Sequence, residues 1–357
     1  MKRNLYMASC ASAALGLAAA GGASASDSIT VVAWGGSYTA AQAATLYAPF
    51  TAATGIAVIS DDYNGGLAEV QSQVTTGNVF WDVIEFDYED VVLGCDTGIL
   101  EPIPAGILPD GVDGTPAAQD FLPGAIHECG VANIIFSVVV AYDTEQFGDN
   151  PPTTIADFFD LEGFPGRRAL RNSPTVALEW ALVADGVPHD QVYEVLATPE
   201  GVDRAFARLD TIRDSVVWWD AGAQAPQLLA DGEVAMTSSF GSRIYTAIVD
   251  EGQSFAFMWD SQVLNFGIWG IPAGSPNLEA ALEFIAFSTS SEPLGNLVGS
   301  VAYGAARQSA MAFVPDEVAP YLPTAPANMA TAIQNDSEFW AQYGDELNER
   351  FAVWQAQ

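Results

Sequence analysis

The chain has 357 residues, half of them hydrophobic, and sets 45 acidic against 11 basic side chains for a formal net charge of −34. A field of that sign repels polyanions, which excludes nucleic acid and anionic membrane surfaces as general partners. The length exceeds what one hydrophobic core usually organises, so two lobes are expected.

Lys2 and Arg3 precede a mostly apolar run over 7–20, followed by Gly21, Gly22 and the small-residue sequence Ala23, Ser24, Ala25. That pattern predicts a secretory signal peptide over 1–25. The run is too short and too rich in Ala, Ser and Gly to span a bilayer well. Cys10 stands before most of it, where a lipid-modified cysteine would be misplaced. The remaining chain is expected to be an exported, periplasmic monomer. It contains nine arginines and no lysine. Two cysteines are left, Cys95 and Cys129, and an even count in an oxidising compartment favours a disulfide over two free buried thiols.

In chain order, the pattern predicts a strand over 29–34, a helix over 39–54, a strand over 56–59, a helix over 67–76 and a strand over 82–86. Alternation of this kind predicts an α/β fold with a mostly parallel sheet, whose ligands collect beyond the carboxyl ends of the strands. A β-branched run predicts a strand over 134–141, and helices follow over 154–160 and 175–185 with a short strand over 168–170 between them. Strands over 216–219, 234–237 and 255–259 alternate with helices over 224–231 and 242–251. A strand over 266–271 carries the chain back, and helices over 278–288 and 337–355 close it. The expected division is 26–137 plus 270–302 for lobe 1 and 138–269 plus 303–357 for lobe 2. Several crossings between lobes make a hinge.

The parts for catalysis are sparse. His127 and His189 are the only histidines, no Gly-x-Ser-x-Gly elbow occurs, and no His or Cys spacing suits zinc. A Gly-rich phosphate loop with Lys is also missing, so neither catalytic residues nor a metal or cofactor is expected. Aromatic residues are more informative. Trp34, Tyr38, Tyr88, Phe240, Trp269 and Tyr303 all fall at predicted strand ends or turns, where rings wall small-molecule pockets.

A run of motifs adds a resemblance: VAWGGSY at 32–38, WDVIE at 81–85, GC at 94–95, GILEP at 98–102 and FPGRRAL at 164–170. GEVAM at 232–236, WGIP at 269–272, YG at 303–304 and QND at 334–336 continue it. In order and spacing the chain resembles the periplasmic spermidine/putrescine-binding proteins of ABC importers. The resemblance implies a two-lobed type II binding-protein fold, a small-molecule ligand and an inner-membrane ABC permease as partner. It further implies ligand contacts from Trp34 and Tyr38, from the Phe86, Asp87, Tyr88 turn, from Phe240, and from Tyr303 and Gln334.

Departures from that pattern bear on the ligand. Asn265 and Gly267 stand where a ring and an acid are expected before Ile271 and Pro272, and Arg171 lies in the LRNS stretch at 170–173 where an acid is expected. Arginine is a poor neighbour for an ammonium ion and a good fork for a carboxylate. Arg171 and Arg243 are therefore candidate clamps for an anionic group, the competing possibility being that they pair with surface carboxylates. The reading is a polyamine-class importer protein, with a zwitterionic or carboxylate-bearing amine as the alternative ligand.

Overall fold

A computed structural model describes residues 27–356, so the expected signal peptide lies outside the described residues. The strands are β1 (Ser28–Ala33), β2 (Ala57–Asp62), β3 (Val83–Asp87), β4 (Ile126–His127) and β5 (Gly130–Asp143). β6 (Arg168–Arg171), β7 (Val216–Trp219), β8 (Met236–Phe240), β9 (Phe255–Gly270) and β10 (Ile333–Gln334) follow. Among the described residues they form one sheet in the order β2-β1-β3-β9-β5-β8-β6-β7, with β10 beside β9 and β4 beside β5.

The α/β, two-lobed expectation holds, but the sheet is mixed. β1 pairs in parallel with β2 and β3, and β6 in parallel with β7 and β8. β3 and β9, β5 and β9, and β5 and β8 are antiparallel. β5 and β9 are long because each serves both lobes. The changeover is visible in the cores: Ile134, Ile135 and Leu264 pack with Phe50, Phe86 and Phe284, whereas Val138, Val140 and Val263 pack with Trp180, Phe206 and Trp340. A third group around Trp219, Leu229 and Ile244 also draws Ala141 from β5.

Two boundaries differ from expectation. Residues 264–269 were expected in lobe 2 but pack in the first core, because β9 crosses between Val263 and Leu264. The segment after Tyr303 was also expected there, yet Ala305, Ala306, Ala310 and Leu322 belong to the first core. Arg307 explains this anchorage. Its fully buried guanidinium pairs with Asp120 at 2.6 Å and donates to the carbonyls of Thr289 and Pro109.

β9 also replaces two predicted strands by one. The polar residues between them form a bulge in which Trp259, Asp260, Ser261 and Gln262 oppose the single residue Val139. Ser261 adopts φ +59°. Trp180 Nε1 donates to its carbonyl at 2.7 Å, and Gln262 Nε2 donates to the carbonyls of Pro323 and Asn328 at 2.9 and 2.7 Å. The first bond satisfies a bulge carbonyl that the ladder leaves unpaired, and the other two tie the bulge to the loop over 323–328.

Cys95 stands in the last turn of the helix Tyr88–Asp96 and is bonded to Cys129, the residue before β5, with Cα atoms 5.6 Å apart. The link closes a loop spanning 34 residues. In the chain-entropy description such a loop contributes about 3–4 kcal/mol. Cys95→Ser combined with Cys129→Ser is therefore expected to lower the unfolding free energy by that amount in a urea titration, and an unchanged midpoint would count against a formed bond.

Candidate functional site

One strand of the first lobe and two oppositely directed strands of the second end at the same place. β3 ends at Asp87, β6 at Arg171 and β8 at Phe240, and all three residues line a cavity of about 260 Å³ between the lobes. Asn265 of β9 and Phe136 of β5 face it from the crossing strands, with Glu89, Ser238, Val176, Asn335 and Trp340 completing much of the wall. This is the crevice beyond strand carboxyl ends that open α/β sheets provide.

Val83, Ile84 and Phe86 bury β3, and Asp87 then becomes the N-cap residue of the helix Tyr88–Asp96 without a side-chain capping bond. Glu89 and Asp90 stand in that helix's first turn, where its dipole favours negative charge. Burial first, then the neighbouring Glu89 and Asp90 charges, lift the Asp87 carboxyl to about 7, while Arg171 pulls the other way. Burial likewise raises Glu89.

Opposite them, the Arg171 guanidinium lies over the Phe240 ring at 5.7 Å. Phe240 is in turn edge-on to Phe136 and Trp219 at 6.1 and 6.0 Å. Among the described residues, neither Arg171 nor Asp87 has a salt-bridge partner within 4.0 Å. The cavity thus presents a cationic fork on one lobe, carboxyl groups on the other, and rings between them.

Of the sequence-predicted residues, Asp87, Arg171, Phe240 and Asn265 meet in this cavity. Trp34, Tyr38, Tyr303 and Arg243 do not line it, and three of them gather near another carboxyl, Glu85. Tyr38 Oη donates to Glu85 Oε1 at 2.7 Å, Gln42 Nε2 donates to Oε2 at 2.8 Å, and the Tyr38 and Tyr303 rings meet edge-on at 5.4 Å. Trp34 stands near enough to the same carboxyl to favour its ionised form, and its ring lies 5.3 Å from Tyr63. Arg243 is exposed, close enough to Tyr303 to favour its ionised form.

Four placements correct the sequence reading. Phe86 is fully buried in the first core, because strand alternation sends it to the face opposite Glu85 and Asp87. Trp269 is fully buried too, its ring 5.7 Å from Phe284. Tyr88 packs between His127 and Phe266, both at 5.9 Å, instead of on the cavity. Gln334 is exposed and bonds the Leu264 carbonyl, and it is the next residue, Asn335, that lines the wall. Sequence reasoning missed Glu89, Phe136, Val176, Glu179 and Trp340. An isolated Glu within the apolar stretch ALEWALVA was the available signal for Glu179.

The profile of bacterial extracellular solute-binding proteins matches residues 45–330. A gamma-aminobutyric acid-binding protein of Pseudomonas aeruginosa is 41% identical over 343 residues, covering 96% of this chain and 95% of the relative. The chain belongs to the bacterial extracellular solute-binding protein family. Among solved structures, this solute-binding protein is similar to MotA of A. tumefaciens B6, a periplasmic binding protein in complex with glucopine. That match has 34% identity, a TM-score of 0.79 and coverage of 92% of this chain and 99% of the other. A GABA receptor structure matches with 27% identity, a TM-score of 0.80 and coverage of 92% and 98%. The spermidine/putrescine-binding protein PotD of Streptococcus pneumoniae reaches a TM-score of 0.72 at 15% identity, with coverage of 92% and 100%, and shares the fold alone.

Burial raises three carboxyl groups of this solute-binding protein to about 7: Glu85, Asp87 and Glu179. A carboxyl held higher in the folded than in the unfolded state binds its proton more tightly when folded. Its stabilisation is complete below the unfolded value and is lost as pH rises to the folded one. The empty protein is therefore expected to melt at lower temperature as pH rises from about 4.5 to about 7. Asp87→Asn should flatten part of that slope, and an identical slope in the variant would remove Asp87 from the account.

Proposed function

We propose that the protein is the periplasmic solute-binding component of an ABC importer and that its ligand is a zwitterionic amine of the GABA class. The monomer closes its lobes on the ligand without altering it chemically and delivers it to an inner-membrane permease. In this reading Arg171 forks the ligand carboxylate, Asp87 with Glu89 receives the ammonium group, and Phe136, Phe240 and Trp340 cover the alkyl chain. The single observation that carries it is the pair of opposite charges, Arg171 and Asp87, without salt-bridge partners on facing lobes of one cavity. The 41%-identical relative named for gamma-aminobutyric acid supports the same ligand class. A polyamine has no group for Arg171 and would meet a repelling charge there.

Calorimetric titration with GABA, longer and shorter amino acids, betaines, putrescine and spermidine tests the reading. GABA-class compounds are expected to bind, and at a hundred times the dissociation constant they should add about 2.7 kcal/mol of stability. Arg171→Ala removes a charge-assisted hydrogen bond of about 1.5–3 kcal/mol, roughly ten- to a hundredfold in affinity. Putrescine binding that survives Arg171→Ala would overturn the proposal in favour of a polyamine. Affinity for the amine should also weaken as pH falls below about 7, because the ammonium group needs the Asp87 carboxylate. Titrations at pH 6, 7 and 8 read this, and a flat profile would separate Asp87 from the ammonium group.

A further inference from the structure

One buried carboxylate touches the cavity wall without entering the cavity. Glu179 lies on the helix Ala177–Ala184 and is fully buried, and among the described residues no cation pairs with it. Its Oε2 accepts the Val176 backbone N–H at 2.7 Å. Its Oε1 accepts the Tyr193 hydroxyl at 3.0 Å and the Trp340 indole N–H at 3.1 Å. The Tyr193 hydroxyl also lies 3.3 Å from Asn335 Oδ1.

Val176, Trp340 and Asn335 all line the cavity, yet they come from three separate segments: the turn after β6, the helix Ser337–Gln355, and the link between β10 and that helix. We propose that Glu179 is a positioning residue that fixes this wall, joining the turn after β6 to the helix Ser337–Gln355 through one carboxylate and holding the Tyr193 hydroxyl that stands beside Asn335, so that the lobe is shaped before a ligand arrives. Each bond has a definite effect. Val176 holds φ +75°, a conformation foreign to β-branched residues, and its N–H is pinned by Glu179 Oε2. With its indole N–H engaged behind the wall, Trp340 is held in one orientation along the cavity. A carboxylate in an unpaired, buried position is a costly way to stabilise a fold. It is well suited to gathering neutral donors, since both of its oxygens accept.

The inference rests on the reading of this cavity as the ligand site, and the test separates the two. Glu179→Gln keeps the shape but offers one acceptor oxygen in place of two, so either Val176 or the Trp340 and Tyr193 pair must face an amide N–H. In the full chain, Glu179→Gln is expected to weaken GABA binding tenfold or more by calorimetry, mainly through faster release, while the empty protein still melts cooperatively. Tyr193→Phe, which withdraws one donor, should weaken binding by a smaller factor. In the empty proteins, the Trp340 indole resonance and the Val176 amide should shift and exchange faster in Glu179→Gln, with the other tryptophan indoles unmoved. An unchanged dissociation constant in a folded Glu179→Gln, or unchanged Trp340 and Val176 resonances, would overturn the role of Glu179. Failure of the unaltered protein to bind any amino acid would instead overturn the ligand reading, and the resonances alone would still decide whether the wall depends on Glu179.

Discussion

The structure depends on two strands that belong to both lobes. β5 and β9 are hydrogen-bonded to each other along nearly their whole length, and each changes core partway. The longer parallel arrays extend from this pair, β3, β1 and β2 beside β9 and β8, β6 and β7 beside β5, while the short β10 and β4 pair with β9 and β5. The carboxyl ends of β3, β6 and β8 therefore converge without any loop having to reach across. That convergence, more than any single residue, makes the cavity.

Scarcity of cations gives Arg171 its meaning. Arg204, Arg213, Arg307 and Arg350 pair with aspartates, and Arg168 is occupied by the carbonyls of Phe158, Gly166, Asp160 and Phe164. Arg208 lies over Phe159. A chain so rich in carboxylates could neutralise Arg171 easily, yet it leaves that guanidinium on a cavity wall with only a ring beneath it. The facing carboxyls are held back from it by the width of the cavity. Opposite charges kept apart in a partly dry space are what the proposed zwitterionic ligand requires.

The strand and helix alternation of the first lobe was legible because its strands are apolar and its helices end at Gly55 and Gly77, both with positive φ. The helix Pro199–Asp210 was equally legible, with Thr198 capping Gly201 and buried Val202, Ala205, Phe206 and Leu209 on one face, and was nevertheless overlooked. β9 was not readable as one strand, since its bulge is polar and is satisfied by partners distant in sequence. Arg171 stood out as a departure from an expected acid. Aromatics were a poorer guide, because a ring at a strand end serves the core as readily as a pocket. Trp269 and Phe86 went to the core, while Phe136, hidden in a β-branched run, went to the cavity.

The bulge at Trp259–Gln262 has a mechanical consequence. The chain crosses between the lobes three times, in β5, in β9 and between Leu322 and Ile333, and of these β9 carries four residues opposite the single Val139. The carbonyls of Pro323 and Asn328, on the third crossing, are fastened to Gln262 in this bulge. The three crossings are thereby knotted together at one polar bulge, so a change at Gln262 reaches all of them at once.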